Sequence, residues 1–122
     1  MVSWMGFVRV RVRVWNIENP GFVREVKLLA DTEAIYTVLP RSLLADMGVK
    51  SIGRRRFKLA NNQIVERDVG ILGVEIQGMK THTIVVFGDE DVYLLGITTL
   101  EEVGLEVDPL RRELRPMELL LM

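Results

Sequence analysis

Residues 28–40, Leu28-Leu29-Ala30-Asp31-Thr32-Glu33-Ala34-Ile35-Tyr36-Thr37-Val38-Leu39-Pro40, constrain this chain more than any other stretch. An apolar run of strand length delivers one short acid, Asp31, and then a hydroxyl, Thr32. A small residue, Ala34, follows Glu33, and the chain turns apolar again up to a proline. Asp31 has two readings on these grounds alone. It can cap a turn at the end of a strand, the commoner fate of such a residue, or it can be presented as a reactive carboxylate.

Bulk properties narrow the chemistry. At 122 residues the chain is read as a single domain, residues 1–122, long enough to bury a core without covalent staples. It has no cysteine, which excludes disulfides, thiol nucleophiles and thiolate metal sites. His82 is the only histidine, so no serine or cysteine triad and no multi-histidine metal site can be built. Sixteen basic and 17 acidic side chains give a net charge of −1, which argues against bulk attraction to nucleic acid or an anionic membrane. No apolar run reaches the roughly 18 residues needed to span a bilayer. The opening Met1-Val2-Ser3-Trp4-Met5-Gly6 lacks a basic region followed by an apolar one, so the expectation is a soluble, cytoplasmic protein without a signal peptide. A mean hydropathy of +0.19 suggests apolar surface covered by a partner.

Strand signals dominate the chain. Phe7 to Trp15 alternates strictly, valines on one face and arginines on the other. Asn19-Pro20-Gly21 predicts a turn, and residues 22–29 a strand pairing back on the first. Pro40 opens a predicted short helix through Met47, with Gly48 in the C′ position. Residues 51–60 and 63–69 predict a hairpin around Asn61-Asn62, which tolerate positive φ. Residues 71–76 and 81–87 predict another around Gly78, followed by the acidic turn Gly88-Asp89-Glu90-Asp91. A strand over 92–96 leads to a second helix, in which Thr98 and Glu101 have capping-box spacing and Gly104 can close the end. Residues 105–107 and 112–121 flank a turn at Asp108-Pro109. The chain also echoes itself: Leu28-Leu29-Ala30-Asp31-Thr32 and Leu94-Leu95-Gly96-Ile97-Thr98 each run from an apolar strand through a small residue and a hydroxyl to a helix.

Asp31-Thr32-x-Ala34, Leu94-Leu95-Gly96 with its following helix, and Gly104-Leu105-Glu106-Val107-Asp108-Pro109 occur in the order found in retropepsin-like aspartic proteases, and the chain resembles that family's small microbial single-domain members over roughly residues 8–116. The resemblance implies an all-β, retropepsin-like acid protease barrel with one or two short helices, built from two similar halves. It implies an aspartic endopeptidase that acts on extended or unfolded polypeptide, with no metal or cofactor. Asp31 would be the catalytic carboxylate. The chain offers that motif once, so a homodimer is implied, its site on the two-fold axis. Two facing carboxylates share a proton; the charged one takes a proton from water, and the other hydrogen-bonds the scissile carbonyl. Thr32 would reach across the axis, Ala34 would let the loop pack tightly, and Gly96 would permit close backbone approach behind it. Ala60, Asn61, Asn62 and Gln63 would form the flap, which pairs with substrate as an added strand.

Glu33 departs from the family's Asp-Thr-Gly pattern. A dimer would gather Asp31 and Glu33 twice over near the axis. Two unit charges about 4 Å apart repel by roughly 4 kcal/mol at an effective dielectric near 20. Glu33 is therefore expected to narrow the cleft or to weaken the dimer at neutral pH. The alternative is a catalytically silent, retropepsin-like dimer that binds peptide or serves a structural role.

Other features have plainer readings. Arg9, Arg11 and Arg13 form a solvated strand face, and Arg54-Arg55-Arg56 with Lys58 read as a charged sheet edge that resists edge-to-edge pairing. A nucleic-acid-binding barrel is disfavoured by the charge balance. Asp89-Glu90-Asp91 lacks the length of a calcium loop and reads as a turn. His82 is an ordinary strand residue, and Trp4 and Trp15 are packing or dimer contacts.

Overall fold

The computed structural model describes residues 7–122, so Trp4 and the rest of the N-terminal stretch lie outside the described residues. Among the described residues nine strands and two short helices follow one another: β1 (Phe7–Asn16), β2 (Val23–Asp31), β3 (Thr37–Pro40), α1 (Arg41–Asp46), β4 (Gly53–Lys58), β5 (Ile64–Ile76), β6 (Met79–Gly88), β7 (Leu94–Leu95), α2 (Ile97–Glu102), β8 (Leu105–Asp108) and β9 (Glu113–Pro116). Seven strands form one sheet in the order β1-β2-β7-β3-β6-β5-β4, and β8 and β9 form a separate two-stranded sheet.

A further pairing of β1 with β5, from Arg13 opposite Glu75 to Asn16 opposite Leu72, closes the strand order into a circuit that leaves β4 as an edge. The sequence pattern explains how. β1 places Val12 and Val14 in the core and Arg9, Arg11 and Arg13 in solvent. β5 spans the predicted strand over 71–76 and most of the one over 63–69, without a break at Gly70. Its first half pairs with β4 and its second with β1, while β6 follows it from Val69 to Ile76. A Cβ on Gly70 would come within 2.8 Å of the Lys50 carbonyl oxygen, so this glycine admits a passing backbone. At the seam Trp15 stands opposite Gly73, where a Cβ would fall 2.2 Å from the indole. The 8 % exposed ring therefore packs down on the bare backbone of the facing strand.

Both helices end as glycine allows. Gly48, at φ 76°, follows α1: its N–H donates to the Ala45 carbonyl and that of Val49 to Leu44, the two bonds of a Schellman motif. The Asn16 amide also donates to the Met47 and Gly48 carbonyls, tying this helix end to β1. Gly104, at φ 73°, follows α2, its N–H donating to the Glu101 carbonyl. The acidic turn has a task the sequence did not reveal. Glu90 accepts hydrogen bonds from the backbone and the hydroxyl of Ser42, in the first turn of α1.

Three predictions need correction. Thr98 is not the cap of α2: Gly96 is the N-cap, and the Thr98 N–H donates to the Ile35 carbonyl instead. The strand expected over 92–96 contracts to Leu94–Leu95, wedged between β2 and β3. The last strand ends at Pro116, whose ring nitrogen has no hydrogen to continue a ladder. Leu119 to Met122 beyond it are exposed.

Candidate active site

Asp31 ends β2, half-buried, opposite Phe7 of β1. Its Oδ1 accepts the Glu33 N–H at 2.9 Å, and its carbonyl accepts the Ala34 N–H at 3.0 Å. These bonds fold 31–34 into an Asx-type turn. Oδ1 thus fixes the turn, and Oδ2 has no hydrogen-bond partner among the described residues. Thr32 and Glu33 are exposed and Ala34 is half-buried. The Thr32 hydroxyl likewise has no partner among the described residues.

The loop is pinned from behind. β7 runs parallel to β2 (Leu29 opposite Leu94, Ala30 opposite Leu95), so Asp31 and Gly96 are the next residues along two adjacent strands. This pairing brings the two echoed segments side by side. The Ile97 and Thr98 N–H groups then donate to the carbonyls of Ala34 and Ile35, at 2.8 and 3.0 Å. Gly96 is buried at the crossing, where a Cβ would lie 2.3 Å from the Tyr36 carbonyl carbon and 2.5 Å from the Ile35 oxygen. No residue with a side chain fits there without moving backbone.

Beneath the crossing lies a buried chain of hydroxyls. The Gly96 N–H donates to Thr37 Oγ1 at 3.1 Å, Thr37 and Thr99 are bonded at 2.6 Å, and Thr99 and Thr83 at 2.8 Å. All three threonines are at most 2 % exposed. The network joins β3, α2 and β6 directly under the loop that carries Asp31.

A cleft of about 490 Å³ opens beside that loop. Glu33, Ala34 and Tyr36 line one side, and Arg56, Phe57 and Lys58 of β4 the other. Tyr36 meets Phe57 edge-on, with ring centroids 5.8 Å apart. Asp31 does not line the cleft itself; it stands two residues behind Glu33. The expected flap is a hairpin end: Leu59 donates to the Gln63 carbonyl, Asn62 to that of Leu59, and Asn62 adopts φ 69°. Of the four flap residues only Ala60 lines the cleft; Asn61, Asn62 and Gln63 lie outside its lining, exposed. Among the described residues no three His, Asp or Glu side chains converge in a way that could hold a metal ion.

Tyr36, Arg56, Phe57 and Lys58 are cleft residues that sequence reasoning did not select. Their signal was present but ambiguous. An aromatic in the middle of a cationic edge strand looks like ordinary solvated edge until the cross-sheet approach of the 31–36 loop is known.

No protein-family model matches the chain, and no curated protein matches it. Among solved structures, the solution structure of the simian foamy virus (mac) protease is similar to it with a TM-score of 0.56. The match is at 22 % sequence identity and covers 76 % of this chain and 91 % of that one. The likeness lies in the fold: this mostly β chain with two short helices has the retropepsin-like architecture.

Proposed function

We propose that this protein is an aspartic endopeptidase that works as a homodimer, each subunit supplying Asp31 to one dyad on the two-fold axis. The observation that carries the reading is the setting of Asp31. Within a fold shared with a retroviral protease, it sits on a turn braced by α2, with one oxygen engaged and the other without a hydrogen-bond partner among the described residues. The Thr32 hydroxyl beside it, without a partner among the described residues, agrees with a contact to a second subunit.

In this mechanism one carboxylate of the dyad is charged and the other protonated. The charged one removes a proton from water, whose oxygen attacks the scissile carbonyl carbon, while the protonated one hydrogen-bonds the carbonyl oxygen. The tetrahedral intermediate collapses as the amide nitrogen takes a proton from the dyad and the C–N bond breaks, returning one shared proton to the pair. The β4–β5 hairpin end covers the substrate and excludes water.

A second reading is favoured by Glu33, whose exposed side chain belongs to the cleft lining: a silent dimer that binds peptide without cutting it. Cleavage of denatured casein across roughly pH 3 to 8 separates the two. Activity in the wild type that is lost in Asp31→Asn supports the peptidase. Silence in the wild type with activity in Glu33→Gly supports a fold disabled at one residue, and silence in both rejects the peptidase reading.

A further inference from the structure

We propose that the cleft selects extended polypeptide segments in which an acidic side chain neighbours apolar ones, the acid being taken by Arg56 and Lys58. The proposal rests on the reading of the cleft as a polypeptide site. Neighbouring cations of the β4–β5 region are already engaged: Arg54 with Glu66 and Asp68, Arg41 with Asp68, and Arg67 with Asp89. Arg56 and Lys58 make no ion pair and no hydrogen bond among the described residues. Glu66, directly across the ladder from Arg56, is held by Arg54 at 3.8 Å. Two cationic residues therefore line the cleft with no ion pair among the described residues, Glu33 being the one acid in the same lining.

Their spacing suits a strand. Residues 56 and 58 are two apart on β4, so they share a face and stand about 7 Å from one another, the repeat of an extended chain. β4 is the edge of its sheet, with no strand on its outer side among the described residues, so a strand can add there once Arg55 releases the Arg54 carbonyl. The same charges repel a second copy of β4, which carries Arg54-Arg55-Arg56 and Lys58, and attract an acidic strand. Apolar side chains have surfaces to meet in Ile35 and Tyr36, 50 % and 41 % exposed. Across the cleft Glu33 disfavours an acid close to Asp31, which leaves the β4 side as the place for one.

The test uses three short fluorescein-labelled peptides of alternating apolar and polar residues, identical except for one Glu, Gln or Lys. Their affinities are measured by anisotropy for the full chain carrying Asp31→Asn, which keeps the peptides intact. The Glu peptide is expected to bind about five-fold more tightly than the Gln peptide, the upper range for an exposed ion pair, and the Lys peptide more weakly than either. Adding Arg56→Gln and Lys58→Gln should level the three, and Arg56→Glu with Lys58→Glu should invert the order. Equal affinities, no binding of the Glu peptide, a preference that survives the double Gln variant, or binding of a single-stranded oligonucleotide in place of the Glu peptide would each overturn the proposal. Casein cleavage reports separately on the peptidase. An acid preference without cleavage refutes that activity alone, and cleavage without an acid preference refutes this inference alone.

Discussion

Glu33 donates its backbone N–H to Asp31 and belongs to the cleft lining, so one residue both builds the turn that carries Asp31 and, on the proposed reading, crowds the approach to it. The first role belongs to the backbone and survives any substitution that keeps the turn. The second belongs to the side chain alone. Glu33→Gly is therefore expected to retain the turn and to raise casein hydrolysis or to tighten the dimer at neutral pH. Hydrolysis rates and sedimentation velocity check this, and no change in either would count against a restraining role. Gly96 presents the opposite case, because the space it leaves is occupied by backbone. Gly96→Ala forces its methyl against Tyr36 and Ile35 and is expected to cost about 2 kcal/mol or more of stability. Urea unfolding reads that loss directly, and a midpoint like the wild type's would show that the loop behind Asp31 yields easily. The turn at Asp31 was legible in the sequence because its bonds to Glu33 and Ala34 are local. The cationic and aromatic walls of the cleft were not, because their facing depends on residues far away along the chain.

At the scale of elements, α2 is held to the sheet by hydroxyls as well as by its buried Leu100. Gly96 N–H, Thr37, Thr99 and Thr83 form a run of bonds in which each hydroxyl can donate onward, so every member is satisfied. Thr99→Val keeps the shape but leaves two buried hydroxyls short of a partner, and is expected to cost about 1–3 kcal/mol. Thr99→Ser should recover most of it. Thermal unfolding of the pair distinguishes a polar network from simple packing, since packing would favour Val over Ser. The same elements show what a sequence discloses. Helix ends at Gly48 and Gly104 were readable because a C′ glycine acts on its own turn. Thr98 misled because its N–H found the Ile35 carbonyl, in sequence far removed, and so did not need the capping role. β5 read as two strands because Gly70 resembles punctuation, whereas it serves a close approach of the 49–50 backbone.

For the whole molecule, Asp68 is a junction. Its carboxylate accepts from Arg41 at the start of α1 and from Ser51 before β4, and lies 3.5 Å from Arg54 of β4. The Arg41 hydrogen bond, helped by that of Ser51 and by the nearby guanidinium charges, holds its pKa below the ordinary carboxylate value, against a smaller opposing effect of burial. A lowered folded-state pKa means that the native chain favours the charged form more than the unfolded chain does. The stabilisation is thus complete above the unfolded carboxylate range and is lost as pH falls through it towards the lower folded value. Melting temperatures recorded from neutral to about pH 3 should fall less steeply for Asp68→Asn than for the wild type; parallel curves would show that this junction is not where acid acts.

The indole of Trp15, lying on Gly73 at the place where β1 meets β5, has a further consequence. A buried indole emits at shorter wavelength than a hydrated one, so this side chain is a native optical gauge of whether the circuit of strands is closed. With Trp4→Phe removing the other emitter, a red shift that precedes the loss of β-sheet circular dichroism would show the molecule unzipping at its seam before it unfolds.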